Sequence, residues 1–132
     1  MKLYQLDSYF TTTEFRCPCQ CGFGSEEKHI DENLIEMLNM MRLLYGKPMV
    51  VTSGARCKDY NASVGGLPNS AHLPHPLTGQ CRAVDILVTN GADRYDLLSL
   101  AHRLGLTRIG LGKTFLHFDV AWDLPDPVIF NY

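Results

Sequence analysis

The sequence predicts an α+β fold in which two main helices accompany a small, mostly antiparallel sheet. Three observations support this prediction: two amphipathic helical segments, several short apolar segments, and an order in which strands and helices do not strictly alternate. A chain of 132 residues, 45% of them hydrophobic, can bury a core of its own. We therefore predict a single domain that spans residues 1–132.

The first main helix is predicted to begin after Asp31, a residue type that caps helix N-termini. Leu34 and Leu38 then recur at helical spacing on one apolar face. Gly46 stands where a glycine often ends a helix, and the proline two residues later prevents continuation. The segment PMVVTS (48–53) then predicts a short strand.

The remaining elements follow a long irregular segment. Residues 53–82 are rich in Gly, Pro, Asn and Ser, and a loop of this length in a compact domain is usually functional. AVDILV predicts a strand and GADRYDLLSLAHRLG predicts the second helix. TRIGLG and TFLHFDVA predict two strands joined by a turn, and the proline-interrupted DLPDPVIFNY predicts an edge strand or a packed extension.

Composition and the N-terminus limit the possible partners. The formal net charge of −2 leaves no basic excess, so nothing indicates a nucleic-acid or membrane-surface partner. MKLYQLDSYF has no apolar run of signal-peptide length, and no segment approaches the roughly 18 apolar residues of a membrane span. We therefore expect synthesis in the cytoplasm without a signal peptide. The oligomeric state stays open.

The predicted strand TFLHFDVA has polar side chains on one face. With a period of two residues, its aliphatic residues face the core while His117 and Asp119 stand together on the other face. The same alternation projects Asp85 from the apolar strand AVDILV, where a carboxylate is costly unless it is paired or binds a metal. If the two strands are neighbours, Asp85 and His117 come within reach of each other.

A third metal-capable side chain, His72, lies in the long loop upstream of Asp85. Two imidazoles and one carboxylate form a known catalytic zinc set, which leaves a fourth coordination position open. A closed structural site would use four ligands, often thiolates. The pattern therefore indicates a candidate metal site, against the alternative that each histidine is structural or solvated.

Four motifs occur in a specific order: Ser-Gly-x-Arg, Val-Gly-Gly, Ser-x-His…Ala-x-Asp and a final strand histidine. They lie in VTSGARCKDYNASVGGLPNSAHL, RAVDI and RIGLGKTFLHFDV. In these motifs the chain resembles the zinc D-Ala-D-Ala carboxypeptidase family (the LAS metallopeptidases), which includes VanY-like and phage-endolysin peptidases. The resemblance runs from about Tyr9 to the C-terminus. It implies a zinc peptidase-like domain with the fold shared by these enzymes and Hedgehog.

The resemblance implies a role for each matching residue. His72, Asp85 and His117 match the zinc ligands. Arg56 matches the arginine that faces the substrate carbonyl or carboxylate, and Ser70 matches the serine that helps hold a terminal carboxylate. An anionic peptide end suits an arginine fork and hydroxyl donors.

The implied function is zinc-dependent hydrolysis of peptidoglycan stem peptides next to a D-amino acid, by a D-Ala-D-Ala carboxypeptidase or an endolysin-type endopeptidase. The implied setting is a phage or prophage product, released on lysis or carried in the phage particle. The alternative hypothesis is a non-catalytic, zinc-containing module of the same fold that binds a peptide or protein.

An insertion separates His72 from Asp85 by more residues than the family usually has there, and it adds His75. A loop absorbs extra residues without moving its ends, so the ligand set is retained. His75 is a rival ligand, although we favour His72 because it follows the Ser-Ala pair.

The general base departs from the family pattern. The places where relatives carry an acid or a histidine hold residues that accept no proton at neutral pH: Leu111, Thr114 and Phe115. Asp119 is a candidate base, but we favour it as the carboxylate that orients His117. His75 is a further candidate base. The absence of a proton acceptor at the usual positions motivates the hypothesis of a binding module.

Five cysteines without an export signal argue against a full disulfide framework. Cys17, Cys19 and Cys21 of the CPCQC segment form a candidate second metal site, although their spacing is not the usual C-x2-C. The alternative is a turn-rich segment with partly buried thiols. Cys57 and Cys81 flank the main site, and a disulfide between them after release from the cell is a further hypothesis.

Overall fold

The computed structural model describes residues 1–4 and 8–132, and it has the predicted α+β architecture. Within these residues the α-helices are α1 (Thr12–Phe15), α2 (Glu32–Tyr45), α3 (Lys58–Ser63) and α4 (Gly91–Arg103), with a 3-10 helix at Glu27–His29. The strands are β1 (Val51–Ser53), β2 (Ala83–Leu87), β3 (Arg108–Leu111), β4 (Phe115–Asp119) and β5 (Val128–Asn131).

The five strands form one sheet in the order β1-β2-β4-β3-β5. β2 and β4 pair antiparallel near its centre, and their register places Asp85 directly opposite His117. β1 and β3 extend the antiparallel pairing on either side. The proline-interrupted tail supplies the edge strand β5, which runs parallel to β3. The sheet is therefore mostly antiparallel, as predicted.

Caps define the two main helices. The Asp31 carboxylate accepts hydrogen bonds from the backbone N–H groups of Asn33 and Leu34, at 2.8 and 3.2 Å. α2 ends at Gly46, whose φ of 77° is a left-handed conformation that glycine adopts without a steric penalty. Asn90 caps α4 through the N–H of Asp93 at 2.8 Å. The short helices α1 and α3 were not predicted, because neither completes the two turns over which a helical pattern of apolar residues becomes visible.

One apolar core joins α2, α4 and one face of the sheet. Its central side chains are at most 1% exposed: Leu34, Leu38, Ile86, Leu97 and Phe118. Because side chains alternate along a strand, burial of Ile86 and Phe118 sends their polar neighbours on β2 and β4 to the opposite face. Among the described residues, no helix combines the length and the apolar character that a membrane crossing requires.

Candidate metal centre

His72, Asp85 and His117 form one buried group in which a ligand atom of each lies within 4.8 Å of the others. Oδ1 of Asp85 is 3.2 Å from Nε2 of His72 and 3.0 Å from Nδ1 of His117. None of the three residues is more than 4% exposed. The structure thus brings together the three side chains that the sequence predicted as metal ligands.

Neighbouring backbone fixes the ring of His72. Its Nδ1 lies 2.6 Å from the carbonyl oxygen of Gly54, so Nδ1 carries the proton and donates it there. In a neutral ring, Nε2 then presents a lone pair to Oδ1 of Asp85. Two acceptors that face each other at this distance are stable only with a positive charge between them. The arrangement therefore suits a cation.

A second carboxylate fixes the ring of His117. Oδ2 of Asp119 lies 2.6 Å from Nε2 of His117, which leaves Nδ1 to face Asp85. Oδ1 of Asp119 accepts from Nε of Arg108 at 2.7 Å and from the N–H of Ala121 at 3.1 Å. This is the carboxylate–histidine arrangement that commonly supports metal ligands. The geometry favours the orienting role of Asp119 over the role of general base.

Charge within the group follows from burial and from these contacts. Burial opposes ionisation of Asp85, but its contacts with His117 and His72 outweigh burial and hold its pKa well below the usual range. Burial lowers the pKa of His72, which keeps that ring neutral. Burial also acts to lower the pKa of His117, yet hydrogen bonds with Asp119 and Asp85 raise it. A bound metal ion would therefore displace a proton from His117.

Arg56 lies beside the group and lines an open cavity. Its Nη2 is 3.2 Å from Oδ2 of Asp85, and its Nε donates to Oγ of Ser53 at 2.9 Å. The cavity has a volume of about 500 Å³, and Ser70 and His117 also line it. This volume falls in the range of small-ligand sites. The two residues predicted to bind substrate, Arg56 and Ser70, therefore line the same cavity as the predicted metal ligand His117.

The C-terminal strand supplies a wall of this cavity that the sequence did not reveal. The ring centroids of Phe130 and Tyr132 lie 5.4 and 6.0 Å from that of His117. Both aromatic residues belong to the tail that was predicted only as an edge strand or extension. Their role depends on the pairing of β5 with β3, which no local pattern in the sequence encodes.

The structure does not bring His75 into the metal group. Its Nε2 lies 2.9 Å from Oδ2 of Asp123, and its Nδ1 accepts from the N–H of Leu77 at 3.2 Å. The ring is buried against Trp122, at a centroid separation of 5.1 Å. The geometry therefore favours a structural role for His75 over the predicted roles of rival ligand and base.

The insertion that contains His75 closes on itself. The N–H of Arg82 donates to the carbonyl oxygen of Ala71 at 2.9 Å, so the two ends of the insertion lie side by side. His72 directly follows Ala71 at the first end, and Asp85 lies on β2 shortly after Arg82 at the second end. The additional residues therefore loop out without separating the two ligands, as expected for an insertion whose ends stay in place.

The structure does not bring Cys57 and Cys81 together, so it does not support the hypothesis of a disulfide between them. Cys81 is fully buried and its thiol donates to the carbonyl oxygen of Ala83 at 3.2 Å, whereas Sγ of Cys57 lies 3.4 Å from Sγ of Cys19. All five cysteines, which lie in the described ranges, are free thiols. Cys57 belongs with the CPCQC segment because the residues before it pack against the N-terminal part of the chain.

Comparison with known families agrees with this site. The peptidase M15 family matches residues 8–119, which include the three candidate ligands together with Arg56 and Ser70. The chain therefore belongs to the peptidase M15 family, whose members are metallopeptidases. The resemblance seen in the sequence motifs is thus confirmed at the level of the family. A comparison with curated proteins found no match.

Proposed function

We propose that the chain is a zinc-dependent peptidase that hydrolyses peptidoglycan stem peptides next to a D-amino acid. The convergence of His72, Asp85 and His117 beside an open cavity is the observation that supports this proposal most. Two imidazoles and a carboxylate suit zinc and leave a coordination position for a ligand from the cavity. Zinc supplies a Lewis acid that polarises a carbonyl and lowers the pKa of water.

Arg56 is suited to recognise negative charge on the substrate. Ser53 and Asp85 contact two of its nitrogen atoms, and Nη1 lies 3.4 Å from Oδ1 of Asn61. A guanidinium held by three partners is already oriented before substrate arrives, which reduces the entropy that binding loses. From this position Arg56 can pair with a peptide carboxylate or stabilise charge that develops on the scissile carbonyl.

Ser70 is suited to a second polar contact with the substrate. Its Oγ accepts a hydrogen bond from the N–H of His72 at 3.2 Å, so its own hydrogen can be donated elsewhere. Ser70 lines the same cavity as Arg56. Together the hydroxyl and the guanidinium form a pair of donors for an anionic peptide end.

The proposed setting is a phage or prophage product that meets the bacterial cell wall at lysis or from within a phage particle.

Cleavage of defined cell-wall substrates tests the proposal. Zinc-loaded protein is incubated with isolated peptidoglycan and with short peptides that end in D-Ala-D-Ala. Release of free D-alanine identifies a carboxypeptidase, and new amino groups without free D-alanine identify an endopeptidase. His117→Ala serves as the matched inactive control. Absence of both products from fully loaded wild-type protein at neutral pH would contradict the proposal.

One observation favours the second candidate function, a zinc-containing module that binds a peptide or protein without cleaving it. Asp119 is the only carboxylate among the described residues that line the cavity, and three donors already engage it. The cavity therefore offers no free carboxylate as a proton acceptor from the described residues. Calorimetric binding of the same peptides without cleavage, weakened by Ser70→Ala, would favour this function.

A further inference from the structure

Four thiols from two distant segments meet on the side of the molecule that holds the CPCQC segment. Cys17, Cys19 and Cys21 come from that segment, and Cys57 directly follows Arg56. Their Sγ atoms lie within 4.8 Å of one another, and Sγ of Cys19 is 3.4 Å from those of both Cys17 and Cys57. Thiolates at the corners of a tetrahedral zinc site, with Zn–S bonds near 2.3 Å, stand about 3.8 Å apart. The spacing of the cluster therefore suits tetrahedral coordination.

The backbone of the CPCQC segment bends in a way that makes this spacing possible. In an extended strand, alternate residues are roughly 6.6 Å apart, too far for their thiols to share one ion. Here the N–H of Gln20 donates to the carbonyl oxygen of Cys17 at 3.1 Å and closes a turn. Gln20 has a φ of 64°, which is uncommon for a residue other than glycine and often marks a functional position.

Backbone donors also point at the sulfur atoms. The N–H of Cys57 donates to Sγ of Cys17 at 3.4 Å, and the N–H of Tyr60 donates to Sγ of Cys57 at 3.3 Å. Hydrogen bonds of this kind stabilise negative charge on sulfur and orient metal ligands. They therefore hold these two sulfur atoms in place as ligand atoms.

We infer that Cys17, Cys19, Cys21 and Cys57 bind a second zinc ion, with a structural role. Four thiolates fill a tetrahedral coordination sphere, so no position is left for water or substrate. This site shares no residue with the group of His72, Asp85 and His117, and the inference does not depend on the proposed peptidase activity. Cys81, buried elsewhere, takes no part in it.

The zinc ion would join the N-terminal segment to the backbone beside Arg56. The two segments already touch, because the N–H of Ala55 donates to the carbonyl oxygen of Phe15 at 2.8 Å. At Gly24, a Cβ atom would stand only 2.6 Å from Cβ of Ala55, so the contact is close. A metal cross-link at Cys57 would hold this contact and fix the position from which Arg56 faces the cavity.

Metal analysis of five proteins tests the inference. Purified under reducing conditions, wild-type protein should contain roughly two zinc ions per chain, and Cys19→Ser and His117→Ala roughly one each. The double variant should contain none. Cys19 is exposed, so serine in its place disturbs no packing. Cys81→Ser, which removes a thiol outside the cluster, should keep both ions. Wild-type protein with a single zinc ion that His117→Ala removes completely would overturn the inference.

Cobalt substitution and thiol titration give readouts that are independent of zinc content. Cobalt in wild-type and His117→Ala protein should show intense thiolate-to-cobalt absorption, and cobalt in Cys19→Ser should not. A mercurial reagent added to wild-type protein should release one zinc ion while it modifies the clustered thiols. Iron instead of zinc in the cluster, or a disulfide within it under reducing conditions, would overturn the assignment.

Discussion

Nδ1 of His117 lies 3.0 Å from Oδ1 of Asp85, across two strands whose register places these residues directly opposite each other. The pair is therefore positioned by the central ladder of the sheet and not by a loop. A slip of one residue in this register would turn His117 into the apolar core, which makes the register strongly specified. The candidate ligands on β2 and β4 are accordingly positioned by the same strand pairing that packs the core behind them.

Asp119→Asn separates the two roles predicted for Asp119. Loss of the carboxylate removes the charged partner of Nε2 of His117, so we expect zinc affinity at this site to fall roughly 10–100-fold. At saturating zinc, most of the activity should return. Competition with a chromophoric chelator measures the affinity, and Asp123→Asn is the matched control. Unchanged zinc affinity with a persistent loss of kcat would instead identify Asp119 as the base.

Arg56→Lys keeps the positive charge but loses the planar fork that contacts Ser53 and Asp85. We expect kcat/KM to fall by roughly 10²–10³-fold at saturating zinc, the range found when one donor to a developing oxyanion is removed. Peptide hydrolysis measures the effect. Arg103→Lys, an exposed substitution on α4, should leave kcat/KM unchanged. Equal rates for Arg56→Lys and wild type would remove Arg56 from substrate recognition.

His75→Ala tests whether His75 is a structural residue. It removes the partner of Asp123 and the packing against Trp122. Because a buried hydrogen bond is lost, the free energy of unfolding should fall by about 1–3 kcal/mol. Urea denaturation measures this loss, and zinc bound by His72, Asp85 and His117 should be retained. A collapse of kcat with stability intact would assign His75 as the base.

The raised pKa of the Tyr4 hydroxyl leads us to expect a loss of stability at alkaline pH. Burial, followed by the negative charge of Glu27, raises the pKa of the Tyr4 hydroxyl to about 12. A group whose pKa is higher in the folded state stabilises the fold below its unfolded pKa, and that contribution disappears as pH rises through the folded value. Stability should therefore decline between roughly pH 10 and pH 12.

Tyr4→Phe should reduce this alkaline decline, because phenylalanine has no hydroxyl to ionise. Urea midpoints recorded against pH measure the difference between the variant and wild type. Tyr95→Phe is the matched control, since it makes the same substitution at a side chain that is 73% exposed. If the urea midpoints of Tyr4→Phe and wild type fall in parallel as pH rises, ionisation of Tyr4 does not cause the alkaline loss of stability.

Local patterns were enough to predict the centre of the fold and its candidate ligands. Alternation along AVDILV and TFLHFDVA placed Asp85 and His117 on a common polar face, and the two strands are neighbours. The caps at Asp31 and Gly46 marked the ends of α2. Both signals operate over a few residues, where backbone geometry and burial impose a fixed period.

Contacts between distant segments could not be predicted in the same way. Cys57 joins the CPCQC cluster, and His75 pairs with Asp123, only because the folded chain brings separate loops together. No spacing rule connects these residues in the sequence. The sequence left open whether Cys57 and Cys81 pair, because both cysteines border the site region along the chain, whereas their side chains occupy different surroundings.

The hydrogen bond between Ala71 and Arg82 closes the loop that runs between them. Because the ends of this loop are fixed, it is a suitable place to insert a foreign peptide. Leu77, at 82% exposure, and the adjacent Thr78 lie away from the ends of this loop. A foreign recognition peptide placed between them would leave the backbone at His72 and Asp85 in place. The same scaffold could then carry different recognition peptides, with only the grafted segment exchanged.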